Sequence, residues 1–327
     1  MSATADVATT ATRRIPSIGS LLRGSGGALV GLIGLIVILS FMSPHFLTAR
    51  NLLNIVDQVT VLGILAIGAM AIIVTGGIDL SVGSVLALCT MVLGWLSHDG
   101  GWPLGLAMVA AVAVGALAGT VNGLGVTLAK LPPFIATLAM MSIARGLANL
   151  ITDGRQIVGY PEWFFNLSSN RYFGFLSITT LALILIYVVA WLIMQYRPSG
   201  RGLYAIGGGQ EVARLAGINV NRLTLGVYAV TGALAGVAGI VLATRLDSSQ
   251  PSAGTGIELD TIAAVVIGGA SLSGGTGRVS GTIIGVLIIG VLRNGLNLLG
   301  VSPFIQSVLI GLVIAVAVMA DTLGRKK

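Results

Sequence analysis

The chain has 327 residues, of which 55% are hydrophobic and only 9% charged, with 47 glycines and a mean hydropathy of +0.98. This exceeds the apolar content of a soluble domain, and the apolar runs do not alternate as strands would, so the chain reads as a polytopic helical membrane protein. The net charge of +7 does not point to nucleic acid, because Lys and Arg fall in the loops between apolar runs, the pattern that orients a protein in a bilayer.

Residues 1–26 form a polar tail with Arg13, Arg14 and Arg23, and an apolar run from Ala28 to Met42 follows. SPHF comes next rather than a small-residue cleavage site, so the run is expected to be a retained first helix. The hydrophobic pattern predicts ten spans, near 27–43, 55–75, 82–96, 103–128, 134–152, 178–195, 223–244, 258–272, 281–298 and 304–320. Residues 27–322 thus make one membrane domain, and 323–327 a basic tail. Between spans 5 and 6 lies a polar stretch, 153–177, and between spans 6 and 7 the longest polar interval, RPSGRGLYAIGGGQEVARLAGINVNR, at 197–222.

With both termini cytoplasmic, ten crossings place Arg13, Arg14, Arg23, Lys130, Arg197, Arg201, Arg214, Arg222, Arg278, Arg325, Lys326 and Lys327 inside. Only Arg50, Arg155, Arg171 and Arg245 fall outside, an excess that sets the orientation. The halves also repeat weakly. GGIDLS at 76–81 aligns with TGIELD at 255–260, Asn122-Gly123-Leu124 with Asn294-Gly295-Leu296, and Pro133-Phe134-Ile135 with Pro303-Phe304-Ile305. Spans 2–5 then correspond to spans 7–10, an odd shift that inverts one half against the other and puts a pathway at their interface.

Several residues stand out against this apolar background. In GGIDLSVGS, the glycines release span 2, and Asp79 and Ser81 either cap the next helix or hold a gate near the cytoplasmic mouth. Glu258, the repeat counterpart of Asp79, is a cap or outer gate. Arg145, a dozen residues into span 5, must face protein or water, tied to backbone carbonyls or placed along the pathway. Asn122, Asn149 and Asn294 either bind a polyhydroxylated solute or join helices. Small-residue runs such as GALAGVAG at 232–239 are read as close helix contacts. Cys89, the sole cysteine, is read as buried, and His45 and His98 as ordinary loop residues. No metal cluster and no catalytic nucleophile is expected.

The glycine-rich 266–281 lacks a Gly-Lys-Ser/Thr signature, since Lys occurs only at 130, 326 and 327, so the chain is not expected to bind or hydrolyse ATP by a P-loop. In the 197–222 loop, Gly207, Gly208 and Gly209 free the backbone, Gln210 to Ala216 is predicted to form about two turns, and Gly217 to end them. Val212, Leu215 and Ala216 share a face, and Glu211 and Arg214 can pair. So short a helix needs something to lie against, its own bundle or a separate cytoplasmic partner.

TGGIDLSVGSVLAL, AIGGGQEVARLAGINVNR, SSQPSAGTGIELDTIAAVVIGGASLSGG and NGLNLLGVS together resemble the permease subunit of ribose-type carbohydrate importers of the ATP-binding cassette (ABC) class. The resemblance spans nearly all of the chain beyond about residue 25. It implies a type II-like importer permease, a homodimer in a bacterial inner membrane, partnered by cytoplasmic ABC ATPase subunits that carry ATP and Mg and by an extracytoplasmic sugar-binding protein. It also implies a coupling segment over Gly207, Gly208, Gly209, Gln210, Glu211, Val212, Ala213, Arg214, Leu215, Ala216 and Gly217, with Glu211, Val212, Arg214 and Leu215 against the ATPase. Arg293 departs from that pattern, where an uncharged residue is usual before Asn294. Ribose, other pentoses, furanoses, polyols and a sugar-like autoinducer all remain open as solutes. From the residues alone, an ion-coupled secondary transporter is the alternative, but ion coupling uses membrane-embedded ionisable groups, which are scarce here. A passive channel would not explain the partner-like loop.

Overall fold

A computed structural model describes residues 25–325, and Arg13, Arg14, Arg23, Lys326 and Lys327, expected on the cytoplasmic side, lie outside the described residues. The helices are α1 (Ser25–Met42), α2 (Ala49–Val74), α3 (Val82–His98), α4 (Leu104–Thr127), α5 (Pro133–Leu150), α6 (Glu162–Ser169), α7 (Ile178–Tyr196), α8 (Pro198–Gly208), α9 (Gln210–Leu215), α10 (Val220–Leu246), α11 (Ile257–Ile267), α12 (Val279–Leu298) and α13 (Pro303–Arg325). Two short strands, β1 (Ile157–Val158) and β2 (Ser248–Ser249), pair antiparallel with Ile157 opposite Ser249. Among the described residues six helices, α2, α4, α5, α7, α10 and α12, are long and apolar enough to cross a bilayer.

The long helix α2 is the axis of the bundle, with most of its apolar window enclosed by protein. On one side Leu86, Met91, Ala111, Ala235 and Ala238 make a core between α3, α4 and α10. On the other, Leu39, Val59, Ala263, Val286 and Ile289 make a second between α1, α2, α11 and α12. The outward faces of α4 and α7 carry exposed Val109, Leu117 and Leu185, which suits contact with acyl chains. Helices α4 and α10 approach closely, as the small-residue run led us to expect. A Cβ added to Gly232 would stand 2.8 Å from the Gly119 nitrogen, so only glycine allows this backbone contact.

Three expectations are corrected, and the stretch 153–177, for which no element was predicted, gains structure. The predicted span 258–272 is a helix of 11 residues, Ile257–Ile267, about 16 Å and half of the hydrocarbon thickness. Gly268 and Gly269 stop it, the latter with φ +91°, although the apolar sequence continues. Residues 198–208 are helical, with Pro198 in the first turn where its missing N–H costs nothing, so the 197–222 interval holds two helices rather than one. The polar stretch 153–177 contains α6 and β1 and exposes Trp163, Phe173 and Phe175. Finally, neither Asp79 nor Ser81 caps α3: Ser81 occupies the cap position without a side-chain capping bond.

Candidate functional site

Two non-helical segments interrupt the bundle. The first, 75–81, follows α2, where Gly76 adopts φ +82°. The second, 250–256, precedes α11 and contains Gly254 and Gly256, both with positive φ. The first turns of α3 and α11 meet there: an added Cβ on Gly254 would lie 2.9 Å from the Gly83 carbonyl oxygen, and one on Gly83 would collide with the Glu258 carboxylate. Glycine at both places lets two interrupted segments touch near the centre of the bundle.

Around the first segment the structure gathers Asp79, Ser81 and Asn122. The Asp79 carboxylate accepts from the Ser81 N–H (2.8 Å) and hydroxyl (2.6 Å), and the Asn122 amide donates to the Ser81 oxygen at 2.9 Å. All three side chains are buried. The buried Tyr228 hydroxyl, which has no hydrogen-bond partner among the described residues, faces the same segment, since a Cβ on Gly77 would lie 2.8 Å from it. This is a satisfied polar joint between α3 and α4 with one further donor beside it.

Helix α5 holds both segments. The Thr137 hydroxyl lies 3.3 Å from the Ile78 carbonyl oxygen, shared with its own helix, and Arg145 donates through Nη1 to the carbonyls of Pro251 (2.6 Å) and Ala253 (2.9 Å). The half-buried guanidinium therefore takes the carbonyl-tie geometry, near enough to Glu258 to attract it. Charged hydrogen bonds contribute about 1.5–3 kcal/mol each. Arg145→Gln is expected to speed amide exchange across 250–256 by roughly tenfold or more, read by hydrogen–deuterium exchange; unchanged protection there would reject the clamp.

The remaining residues lie apart. Asn294 exchanges amide bonds with Asn51, each at 2.9 Å, joining α12 to α2. Asn149 donates to the Arg145 carbonyl within its own helix. Two pairs were not legible in the sequence: Arg171 with Asp57, and Arg293 with Asp260 at 2.6 Å. Beyond the spans, the Ser249 hydroxyl is spent on the Thr90 carbonyl (2.6 Å), so Tyr160 is the donor in its 2.7 Å bond to Ser249. Burial raises the Tyr160 phenol above its ordinary range, which keeps that proton in place.

At one end of the bundle, helices α8 and α9 form a bracket. Glycines from two loops and from the last turn of α8 meet beneath it: the Gly275 N–H donates to the Val74 carbonyl at 2.8 Å, and a Cβ on Gly274 would lie 2.9 Å from the Gly76 nitrogen and 3.0 Å from the Gly207 Cα. Tyr204 of α8 donates to the Gly277 carbonyl at 2.8 Å. Helix α9 is anchored only by Ala213, which packs with Ile206 and Val220. Gly217, at φ +80°, ends it as expected. Glu211 and Arg214 pair, while Val212 is 71% and Leu215 89% exposed. Helix α9 thus presents two apolar side chains beside a charged pair on the outside of the bundle.

Six helices long and apolar enough to cross a bilayer, with two interrupted segments meeting between them, define a membrane-embedded helical protein. The chain belongs to the family described as branched-chain amino acid transport system / permease component, whose model matches residues 51–318. Among similar proteins, the ribose import permease protein RbsC of Bacillus subtilis is 46% identical over 302 residues, 92% of each chain. RbsC of Escherichia coli K12 is 45% identical over 300 residues, 90% of this chain and 92% of that one. The fructose import permease protein FrcC of Rhizobium meliloti is 35% identical over 293 residues, 87% of this chain and 81% of the relative. No solved structure matches.

Proposed function

We propose that the chain is the permease subunit of an ATP-driven importer for ribose or a closely similar sugar or polyol. Two copies form the pathway in a bacterial inner membrane, with both termini cytoplasmic. Residues 27–322 make the membrane domain, and the solute arrives from an extracytoplasmic binding protein. A separate ABC ATPase holds ATP and Mg, and α8–α9 within 197–222 carries its stroke to the membrane helices. The exposed α9 carries this reading: Val212 and Leu215 offer an apolar contact, Glu211 and Arg214 a charged rim, and Ala213 the only anchor to the bundle. The two relatives named for ribose import support the solute class.

Ten crossings with an inverted repeat account for the helix contacts. Helix α3 packs on α4 and α5, as α11 does on α12 and α13, and α10 lies on α3 and α4 as α2 lies on α11 and α12. Each half has a polar brace, Ser81 with Asn122 in one and Asp260 with Arg293 in the other, and Ser81 and Asp260 hold matched positions in the repeat. On this arrangement the 75–81 and 250–256 segments enter from opposite faces, with Asp79 and Glu258 at their inner ends. Movement of the bracket would then tilt one half against the other and alternate access between them.

The test is reconstitution with the ATPase and binding protein. Uptake of ribose that needs ATP and both partners is expected, and uptake by this chain alone in vesicles would overturn the proposal. The Glu211→Ala, Arg214→Ala double variant is expected to insert normally, because an exposed pair adds at most about 1 kcal/mol to stability. It should nevertheless lose solute-stimulated ATP hydrolysis; retained stimulation would move the contact elsewhere in 197–222.

A further inference from the structure

A cavity of about 320 Å³ opens on the side of the bundle between α2, α7, α8 and α10. Its wall is apolar except for Ser199, Arg222 and Thr231, and the Thr231 hydroxyl is already spent on the Val227 carbonyl at 2.8 Å. Ser199 and Arg222 sit at the α8 end, while Ala190 and Leu234 line the far end. On α10, Arg222, Gly226 and Val230 are spaced four residues apart, and all three are exposed, so they form one open stripe on the helix. Among the described residues Arg222 has no carboxylate partner. From Arg222 to Leu234 the helix rises about 18 Å, a length suited to one fatty-acyl chain.

We infer that this groove binds an anionic phospholipid, one acyl chain lying along Gly226 and Val230 with the phosphate on Arg222. An apolar slot with a single unpaired cation at one end has the polarity of such a lipid, apolar along its length and negative at its tip. It differs from the general lipid-facing surface because its floor is α2, the axis of the bundle. That floor is reached because Gly68 lets α10 close in: a Cβ there would lie 2.7 Å from the Thr231 methyl. A chain in the groove would therefore touch the axis helix, α10 and the back of α8 together. The headgroup end needs only the leaflet that faces Arg222, which is the cytoplasmic one under the orientation proposed above.

Gly226 supplies a clean test, because a Cβ added there meets nothing within 4 Å; a larger side chain fills the groove without disturbing the packing beneath. Native mass spectrometry of the purified chain, titrated with dioleoyl phosphatidylglycerol or dioleoyl phosphatidylcholine, reads lipid bound per chain. The wild type is expected to retain phosphatidylglycerol in preference by about fivefold, the scale of one basic residue at an anionic surface. Gly226→Phe should lose both lipids, and Gly226→Leu should reproduce the loss if the phenylalanine variant folds poorly. Arg222→Gln should keep binding but lose the preference. Equal retention of the two lipids by the wild type, or undiminished binding by the filled variants, would overturn the inference. So would a cross-link between two Gly226→Cys copies, which would give the groove to a second copy, or lipid binding that appears only when residues 1–24 are removed. The readout is lipid rather than sugar or ATP, so an error in the proposed solute or partner leaves it unaffected.

Discussion

Gly207→Ala is expected to abolish coupled transport, while Gly208→Ala, one residue further on, leaves it near normal. The contrast comes from backbone contact alone. A Cβ on Gly207 would collide with the Val74 carbonyl oxygen and the Gly275 amide nitrogen, whereas one on Gly208 meets nothing within 4 Å. Both glycines lie in the last turn of α8, so helix propensity favours alanine equally at each and cannot produce the difference. The obstruction at Gly207 is main chain on two sides, which cannot rotate away as a side chain could. Overpacking of this kind costs about 1–3 kcal/mol, and about 1.4 kcal/mol is already a factor of ten. Relief would separate the α8 end from the end of α2 and the 268–278 loop, the backbone it touches on the way to Asp79 and Arg278. Solute uptake and solute-stimulated ATP hydrolysis, each normalised to inserted protein, measure the effect. Equal activity of the two variants would show that the bracket acts through side chains such as Tyr204 instead.

The legibility of this protein in its sequence follows from the range of the interactions involved. Helices α1, α3, α4, α5, α7, α10 and α12 were predicted within about three residues, because apolar runs bounded by glycine, proline and charge are local signals, whereas α2 starts six residues before its predicted span near 55–75. Helix α8 was missed because four of its 11 residues are glycine, which masks helix propensity; the proline at its start was the available cue. The predicted span near 258–272 was too long because hydropathy continues through Gly268 and Gly269, whereas the helix cannot. The bare apolar face of α9 was legible, since a two-turn helix with Val212 and Leu215 together has few internal uses for them. The Asn51–Asn294 pair, 243 residues apart, leaves no trace in a single sequence. Arg145 was recognised as needing a partner, but its acceptors are backbone carbonyls, and those have no residue type to read. The glycine junction was illegible for the same reason: each glycine looked like a turn, and only folding brings two loops and the end of α8 to one point.

The second large effect is expected at Arg293. Its guanidinium reaches the Asp260 carboxylate across α11 and α12, and the two side chains are unequally protected, 38% exposed for Arg293 and 9% for Asp260. Removing the arginine strands a buried charge, and Glu258, two residues earlier, is close enough to repel it. Breaking a buried pair in this way costs about 3–5 kcal/mol, and the partial exposure of Arg293 places the expected loss at the lower end. Removing the acid instead leaves a cation that can still reach water or lipid headgroups, so Asp260→Asn should cost less than Arg293→Met. The pair Asp260→Leu with Arg293→Met should recover much of the loss, because apolar replacements of similar volume are often neutral where an ion pair was. Thermal denaturation in detergent of the wild type, Asp260→Leu, Arg293→Met and the Asp260→Leu, Arg293→Met double variant closes the double-mutant cycle. A double variant as unstable as Arg293→Met would mean that Arg293 acts through some group other than Asp260. Recovery in stability with transport still lost would give the pair a second role: α11 is too short to cross the membrane alone, so its hold on α12 would be what keeps the 250–256 segment at the depth where Gly254 meets Gly83.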